Sequence, residues 1–273
     1  MVATRSIADY AFVSEGVQGA NGTFYLAVPP ARLGLDIELV AVKVISGVTQ
    51  DDAVRRGARE LRAFAAVDSP HLIRLYDAGQ DGPSLYYSME YSPLGSLAQP
   101  ARPLERAEVI EAVADAAEAA HALHEAGIAH RNIQPSTVML HEEGAKLADL
   151  GLAQTLVPGQ TATGIASIEY IEFLDPASLG GESPSRATDI WSLGATLHRA
   201  LTGVGLYGVV PTTEPLLAVR RVLSSTPVVL EELDDEDRQI IERSINPDLT
   251  ERYGTAQELA TDLRARARRI RRD

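Results

Sequence analysis

The order of strand-like and helix-like segments predicts an α+β fold whose strands lie in the first third of the chain and whose helices follow. Short β-prone, apolar runs occupy residues 23–28, 38–45 and 85–91. A turn-rich break at 92–95 comes next, and from residue 108 onward apolar residues recur at helical spacing. Strand and helix layers that are segregated along the chain indicate two lobes, and 273 residues are enough to build both.

The first lobe is predicted over residues 1–91. The run at 38–45 is apolar on both faces, which is typical of a strand covered on both sides. Asp51-Asp52 open an acidic first turn, and the apolar residues after them share one helix face until Ser69-Pro70. The next strand leads to the break at 92–95, which is therefore the predicted hinge between the lobes.

The second lobe is predicted over residues 92–267. An alanine-rich helix is expected at 108–126, and Gly127 is its C-terminal stop. Two short apolar runs on either side of Glu142-Glu143-Gly144 predict a β-hairpin. Several further helices are expected toward the C-terminus, where a basic tail occupies residues 264–273.

The charge of the chain is negative overall and positive at this tail. The net charge is −13, whereas Arg264–Asp273 contains six arginines and one aspartate. An acidic body argues against a nucleic-acid partner. The tail is either a solvated helix end or a juxtamembrane segment beside a membrane span in a larger protein. No apolar run of 18 residues and no cysteine are present, so we expect a cytoplasmic domain, at the cytoplasmic face of the membrane in the second case.

Several short motifs in a fixed order carry the chemistry. Val40-Ala41-Val42-Lys43 places a lysine between apolar strand neighbours, and Glu60 on the following helix is its candidate partner. Alone, this lysine could equally extend to solvent from a strand edge. The motifs further along the chain are Met89-Glu90-Tyr91, the loop from His130 to Met139, Ala148-Asp149-Leu150-Gly151, Asp175-Pro176-Ala177, the segment from Asp189 to Gly194, and Asn246-Pro247 with Arg252.

In order and spacing these motifs resemble the bacterial serine/threonine protein kinase family, across about residues 8–267. The resemblance implies a bilobal kinase fold with a β-rich N-lobe and a helical C-lobe. It also implies that Lys43 and Glu60 form the ion pair that holds nucleotide phosphates, and that Asp149 is the metal-binding aspartate. Asp189 would anchor the loop at His130-Arg131.

The catalytic loop departs from the family pattern at three positions. The family aspartate that accepts the substrate proton is replaced by Asn132, the supporting lysine by Gln134, and the metal-binding asparagine by Thr137. An amide has no carboxylate to take up a proton, and neutral side chains bring no charge to an anionic transition state. We therefore expect no enzymatic activity and a pseudokinase that acts as a binding or scaffold module. The alternatives are a weakly active kinase using Lys43 and Asp149, or a nucleotide-binding switch without phosphoryl transfer.

The nucleotide-binding loop and one late ion pair also differ from the family. The three glycines between Gly16 and Gly22 are misspaced, and Phe24 replaces the family valine above the adenine. Turned inward, its ring would fill adenine space; turned outward, it would pack on the strand. We expect binding of ATP and magnesium to be weak or absent. Since Ala177 replaces a family glutamate, Arg252 needs a new partner, for which Glu172 and Asp175 are candidates.

A threonine-containing loop suggests regulation. Thr161 and Thr163 lie in the segment equivalent to the activation segment of kinases, and the alternative is an ordinary polar loop. We expect an active serine/threonine kinase to phosphorylate them and a forkhead-associated domain protein to bind the phosphothreonine. A narrower resemblance, to the pseudokinase domain of mycobacterial MviN-like proteins related to peptidoglycan-precursor flippases, implies a role in cell-wall synthesis.

Overall fold

The computed structural model describes residues 6–19, 22–46, 51–151, 168–211 and 214–272. These residues form two compact units. The first contains the described residues up to Ala66 together with Ile73–Tyr91, and the second contains Val67–Leu72, Ser92–Gly151 and those from 168 onward. Val67–Leu72 belongs to the second unit because its backbone is bonded there: the Leu147 N–H donates to the His71 carbonyl at 2.8 Å.

The first unit is an antiparallel sheet with one long helix. The described strands are arranged in the order β1-β2-β4-β5-β7-β6, and β3 pairs with β4. Helix α1 (Asp51–Ala65) contacts β6, and a 3₁₀ turn spans Ala31–Leu33. The strands are β1 (Ser6–Ile7), β2 (Tyr10–Phe12), β3 (Val17–Gly19), β4 (Gly22–Val28), β5 (Val40–Ile45), β6 (Leu75–Asp81) and β7 (Ser84–Glu90).

The strands that the sequence predicts in this unit are strands with buried apolar residues. Val40 and Val42 of β5 are fully buried with Tyr10, so the strand predicted at 38–45 is confirmed, beginning two residues later. Strand β6 was not predicted, because residues 77–80 (Asp-Ala-Gly-Gln) show no apolar alternation. Its pairing with β7, interrupted by a bulge near Leu75, holds it in the sheet.

The second unit combines helices with a small four-stranded sheet. The strands β8 (Gly95–Ser96), β9 (Gln99–Pro100), β10 (Val138–His141) and β11 (Gly144–Leu147) are arranged in the order β11-β10-β8-β9. The predicted hairpin is β10–β11. The described helices are α2 (Arg106–Glu125), α3 (Ile168–Ile171), α4 (Pro176–Leu179), α5 (Arg186–Thr202), α6 (Pro215–Ser224), α7 (Asp235–Ser244) and α8 (Ala256–Ile270), with a 3₁₀ turn at Pro135–Thr137. The predicted α+β fold is confirmed.

Helix α2 is the centre of this unit. Of its 20 residues, 13 are buried, and the helix packs against α5, α8 and β11. Its alanines permit close approach of these neighbours, and Asp115 and Glu118 on the same helix pair with Arg264 of α8. Gly127 follows the helix with φ +75°, as its predicted role as C-terminal stop requires.

The basic C-terminus is part of the fold. Helix α8 continues to Ile270, and its arginines face carboxylates of α2 and of the α7 region. Arg264 contacts Glu118 at 2.7 Å and Asp115 at 2.9 Å. Arg266 contacts Asp237 at 2.8 Å. Much of the predicted basic tail is thus neutralised by intramolecular ion pairs, which neither sequence interpretation foresaw. Among the described residues, no helix combines the length and apolar character needed to cross a bilayer.

Candidate active site

The loop that begins at His130 is anchored by one buried carboxylate. Asp189 lies in the first turns of α5, a helix with a capping box formed by Ser185 and Thr188. Its Oδ2 accepts the His130 backbone N–H at 2.7 Å, and its Oδ1 accepts the Arg131 N–H at 2.9 Å. Asp189 therefore anchors to α5 the loop that follows α2, as predicted.

His124 completes this anchor, and the sequence did not reveal it. Its Nε2 lies 2.8 Å from Asp189 Oδ2 in the buried interior. The sequence analysis assigned no role to His124. Its position near the end of α2 indicates this contact with Asp189 only when α2 and α5 are known to pack against each other.

Two residues of the site have left-handed backbone conformations. Arg131 has φ +67° and Asp149 has φ +62°, which is uncommon for residues other than glycine. Each such residue costs on the order of 1–3 kcal/mol and persists only where its surroundings hold it. The hydroxyl of Tyr170 donates to the Arg131 carbonyl, and the Gly151 N–H donates to the His130 carbonyl at 3.0 Å. Neighbouring contacts thus hold a strained turn at the predicted catalytic loop.

The substituted loop residues form one hydrogen-bonded network with Asp149. The Asn132 side-chain N–H donates to the Asp149 carbonyl at 2.8 Å, with a longer contact of 3.3 Å to its carboxylate. The Gln134 side chain donates to Asn132 Oδ1 at 3.0 Å. All three side chains are buried. The structure therefore brings together Asn132, Gln134 and Asp149, which lie up to 17 residues apart in sequence.

Thr137 has a structural role in the same loop. Its hydroxyl lies 2.9 Å from the Asn132 carbonyl and 3.0 Å from the Gln134 carbonyl, and it accepts the Gln134 N–H at 3.2 Å. These contacts cap the 3₁₀ turn at Pro135–Thr137. A hydroxyl engaged in this way is not directed at a metal ion, so Asp149 is the metal-binding candidate that the loop retains.

Burial also shifts the pKa values of two side chains in and beside the loop. His130 is fully buried, and desolvation lowers the pKa of its imidazole to about 4, although Asp189 and Asp149 favour the charged form. Burial likewise raises the pKa of the Tyr170 hydroxyl. Both groups are therefore neutral near pH 7 and support the loop without adding charge.

In the first unit, Lys43 is buried and lies against an aromatic ring. Its ammonium is 5.0 Å from the centroid of the Phe24 ring, which is opposite it in the β4–β5 register. Phe24 therefore points to the same face of the sheet as Lys43. Glu60 lies half-buried on α1, and its pairing with Lys43 stays a prediction. Thr161 and Thr163 lie outside the described residues.

Arg252 pairs with Asp175, one of its two predicted partners. Its guanidinium contacts Asp175 at 2.7 Å, with both side chains buried, and also donates to the Ala187 carbonyl at 2.8 Å. The ring of Trp191 lies 5.2 Å away. Glu172, the other candidate, is 3.6 Å from Arg199. The carboxylate missing at Ala177 is thus supplied two residues earlier in the chain.

Two curated relatives are similar to this chain over most of its length. The serine/threonine-protein kinase PknK of Mycobacterium tuberculosis is 32% identical over 266 residues, 94% of this chain and 23% of that protein. The serine/threonine-protein kinase PknB of Mycolicibacterium smegmatis is 32% identical over 256 residues, 85% of this chain and 40% of that protein. The chain thus spans less than half the length of these relatives.

The relatives overturn the expectation that the chain is a catalytically inactive pseudokinase and not an enzyme: proteins of this similarity are named serine/threonine-protein kinases. That expectation was wrong because it weighed Asn132, Gln134 and Thr137 by residue type alone. Phosphoryl transfer depends mostly on positioning and electrostatic stabilisation. The loop keeps its anchor on Asp189 and its contact with Asp149. The narrower resemblance to MviN-like proteins stays a prediction.

Comparisons of fold and family agree. A crystal structure of the Mycobacterium tuberculosis PknI kinase domain matches with a TM-score of 0.70 at 21% identity, covering 98% of this chain and 99% of that one. At this identity the match speaks for the fold. The protein kinase domain family matches residues 18–263, which are most of the chain. The chain therefore belongs to the protein kinase domain family.

Proposed function

We propose that this chain is a serine/threonine kinase domain of low turnover, which transfers the γ-phosphoryl group of ATP to a serine or threonine hydroxyl of a protein. The observation that carries the proposal is the contact between Asn132 and Asp149 at the end of a loop anchored on Asp189. The two relatives are both named serine/threonine-protein kinases, which supports the same acceptor class.

In this proposal the residues act chiefly by position. Asn132 Oδ1 is an acceptor that can orient the substrate hydroxyl, and the Gln134 amide holds its side chain at 3.0 Å. The hydroxyl proton has no carboxylate to receive it at this position, so it leaves with solvent or with the transferred phosphate. General-base catalysis typically contributes 10²–10⁴-fold. A kinase lacking it is slow, but it retains the contribution of positioning.

The residues that would hold the nucleotide are Lys43 and Asp149. Bound Mg-ATP would supply the phosphoryl group and offset the charge that develops during transfer. Asp149 is a buried carboxylate that fits a metal ion, whereas the Thr137 hydroxyl is engaged within its own turn. The ring of Phe24 lies against the Lys43 ammonium, which would otherwise be available to phosphates. We therefore propose that the affinity for Mg-ATP is weak.

A phosphate-transfer assay tests the proposal. The purified chain is incubated with γ-labelled ATP, magnesium and a serine/threonine peptide library, and incorporated label is counted. We expect slow transfer that Lys43→Met and Asp149→Asn both abolish. Asn132→Asp gives up the N–H that Asp149 accepts but restores a proton acceptor, and it should raise the turnover number by about 10²-fold or more.

The same variants show which result would contradict the proposed activity. Asp149→Asn serves as the background, because it keeps the size of the side chain and removes the metal-binding charge. If the unaltered chain and Asn132→Asp both incorporate no more label than Asp149→Asn, the proposed activity is wrong. A thermal-shift titration with Mg-ATP separates failure to bind from failure to transfer, since a ligand that binds the folded state raises its melting temperature.

Regulation by phosphorylation is a further proposal from the sequence. A second, active kinase would modify Thr161 or Thr163, and a forkhead-associated domain protein would bind the phosphothreonine. An association with a membrane or cell-wall process, as in MviN-like proteins, belongs to the same proposal. Mass spectrometry after incubation with an active bacterial kinase tests it, with a Thr161→Ala/Thr163→Ala variant as control.

A further inference from the structure

Strand β4 carries an aromatic side chain directly beside the buried lysine of β5. Phe24 is opposite Val17 in the β3–β4 register and opposite Lys43 in the β4–β5 register. Its ring centroid lies 5.0 Å from the Lys43 ammonium. Lys43 is only 2% exposed, whereas Phe24 is half-buried. The ring is therefore the more accessible partner of a contact that encloses the lysine.

The ring of Phe24 packs on a backbone position that only glycine leaves open. A Cβ at Gly19 would lie 2.5 Å from Phe24 Cε2 and 3.0 Å from its Cδ2. Because carbon atoms in contact are normally about 3.5–4.0 Å apart, a larger residue at position 19 would push the ring away. The ring thus contacts the bare backbone of β3 as well as the cation of β5.

Exposed hydrogen bonds hold β3 and β4 together beside this ring. The Thr23 hydroxyl donates to Gln18 Oε1 at 3.1 Å, and Gln18 Nε2 donates to the Gly19 carbonyl at 3.2 Å. Water can replace such bonds at little net cost. The buried core around Tyr10 and Val42 lies on the other face of the sheet, since side chains alternate along β5. The end of the β3–β4 pair can therefore open while this core stays intact.

The contact between ring and ammonium opposes the binding of anions. An aromatic face attracts a cation through its quadrupole, and the attraction grows when the cation is removed from water. A phosphate that binds Lys43 has to displace the Phe24 ring and replace this attraction by its own. The position of the ring therefore affects the affinity of any anionic ligand for Lys43.

We propose that Phe24 is an autoinhibitory residue, which shields Lys43 from anionic ligands until the β3–β4 pair opens. This inference rests on the proposed function, in which Lys43 would hold the phosphates of ATP. It adds a closed state, with the ring on Lys43, and an open state, in which phosphate oxygens take the place of the ring. A polyphosphate ligand shifts the population toward the open state because it binds that state better.

Acylation of lysine in the whole chain tests the proposal. The chain has two lysines, and the half-buried Lys146 of β11 is an internal reference for Lys43 when both are quantified by mass spectrometry after brief treatment with acetic anhydride. Phe24→Leu keeps an apolar strand residue and should raise the acylation rate of Lys43 relative to Lys146 about tenfold or more. Gly19→Ala displaces the ring without removing it and should also raise this rate. Tripolyphosphate should slow the acylation of Lys43 in Phe24→Leu and leave the slow rate of the unaltered chain unchanged.

The matched control is Tyr25→Leu. Tyr25 follows Phe24 in β4 and points to the opposite sheet face, where its ring stacks on Phe12 with 4.0 Å between the centroids. This variant also loses a ring from β4 and should leave the acylation of Lys43 unchanged.

Three results would overturn the proposal. They are equal acceleration in Tyr25→Leu and Phe24→Leu, no acceleration in Phe24→Leu and Gly19→Ala, and no protection of Phe24→Leu by tripolyphosphate. The readout needs no phosphoryl transfer. A chain that shows the expected acylation and protection but transfers no phosphate would therefore contradict the proposed function and support the shielding of Lys43.

Discussion

Two aspartates of the second unit, Asp189 and Asp237, are equally buried and yet serve different ends. Each has a side chain that is 1% exposed. Asp189 accepts the backbone N–H groups of His130 and Arg131. Asp237 instead accepts guanidinium groups from Arg106 of α2 and Arg266 of α8. One carboxylate positions a loop, and the other joins three helices.

The difference shows what a buried carboxylate needs in each setting. At Asp237 two full positive charges compensate the negative charge, and losing this carboxylate leaves them only the more exposed Asp234 as a common partner. At Asp189 the partners are dipoles and one imidazole, so the position of the N–H groups matters more than net charge. Stability should therefore depend more on Asp237, and loop geometry more on Asp189.

The largest effect is expected from Asp237→Ala. The change removes the buried carboxylate that Arg106 and Arg266 share and leaves them only the more exposed Asp234 in common, and Arg266 is buried. Breaking a buried ion pair from one side costs about 3–5 kcal/mol. Urea denaturation should show this loss in the free energy of unfolding with an unchanged m-value. Asp235→Ala, whose carboxylate is 80% exposed, is the matched control and should cost about 1 kcal/mol or less.

The next largest effect is expected from lowering the pH, which should reduce stability through His130 and not through the ion pairs at Asp237. The folded-state pKa of His130 is about 4, whereas an unfolded histidine titrates near 6.5. The unfolded state therefore binds more protons between these values, and stability falls as the pH is lowered through this window, by about 3 kcal/mol in all. Arginines at Asp237 keep their charge throughout.

The measurement compares the chain with His130→Phe by urea denaturation from pH 7.5 to 4.5. The variant lacks the titrating ring, so its stability should fall less steeply with pH. Equal slopes in the two proteins would show that His130 is not responsible. Carboxylate protonation affects both proteins and cancels in their difference.

The smallest loss of stability is expected from Asp189→Asn. The amide keeps one acceptor oxygen and presents its N–H₂ group to the second backbone N–H, so one hydrogen bond is lost at a cost of about 1–3 kcal/mol. Phosphoryl transfer, if measured on the Asn132→Asp background, should drop far more than stability. A variant that lost stability but kept its transfer rate would argue against the positioning role of Asp189.

Much of the fold could be predicted because its signals are local. The periodicity of α2, the hairpin turn at Glu142–Gly144 and the burial of β5 each follow from residues within a few positions of one another. The motifs also placed Lys43 in a strand and Asp189 near the start of a helix, as the structure has them. Strand β6 was missed because its own residues carry no alternation and only its neighbour β7 holds it in place.

The sequence by itself determined the lobed α+β fold, the loop from His130 onward and the residue types that stand in it. Only the tertiary structure decided that Arg252 pairs with Asp175, that Phe24 faces Lys43, and that the basic tail is neutralised by α2 and α7. The reason is physical. Helix and strand periods depend on neighbours a few residues away, whereas Arg264 and Asp115 are 149 residues apart and meet only when α8 packs on α2.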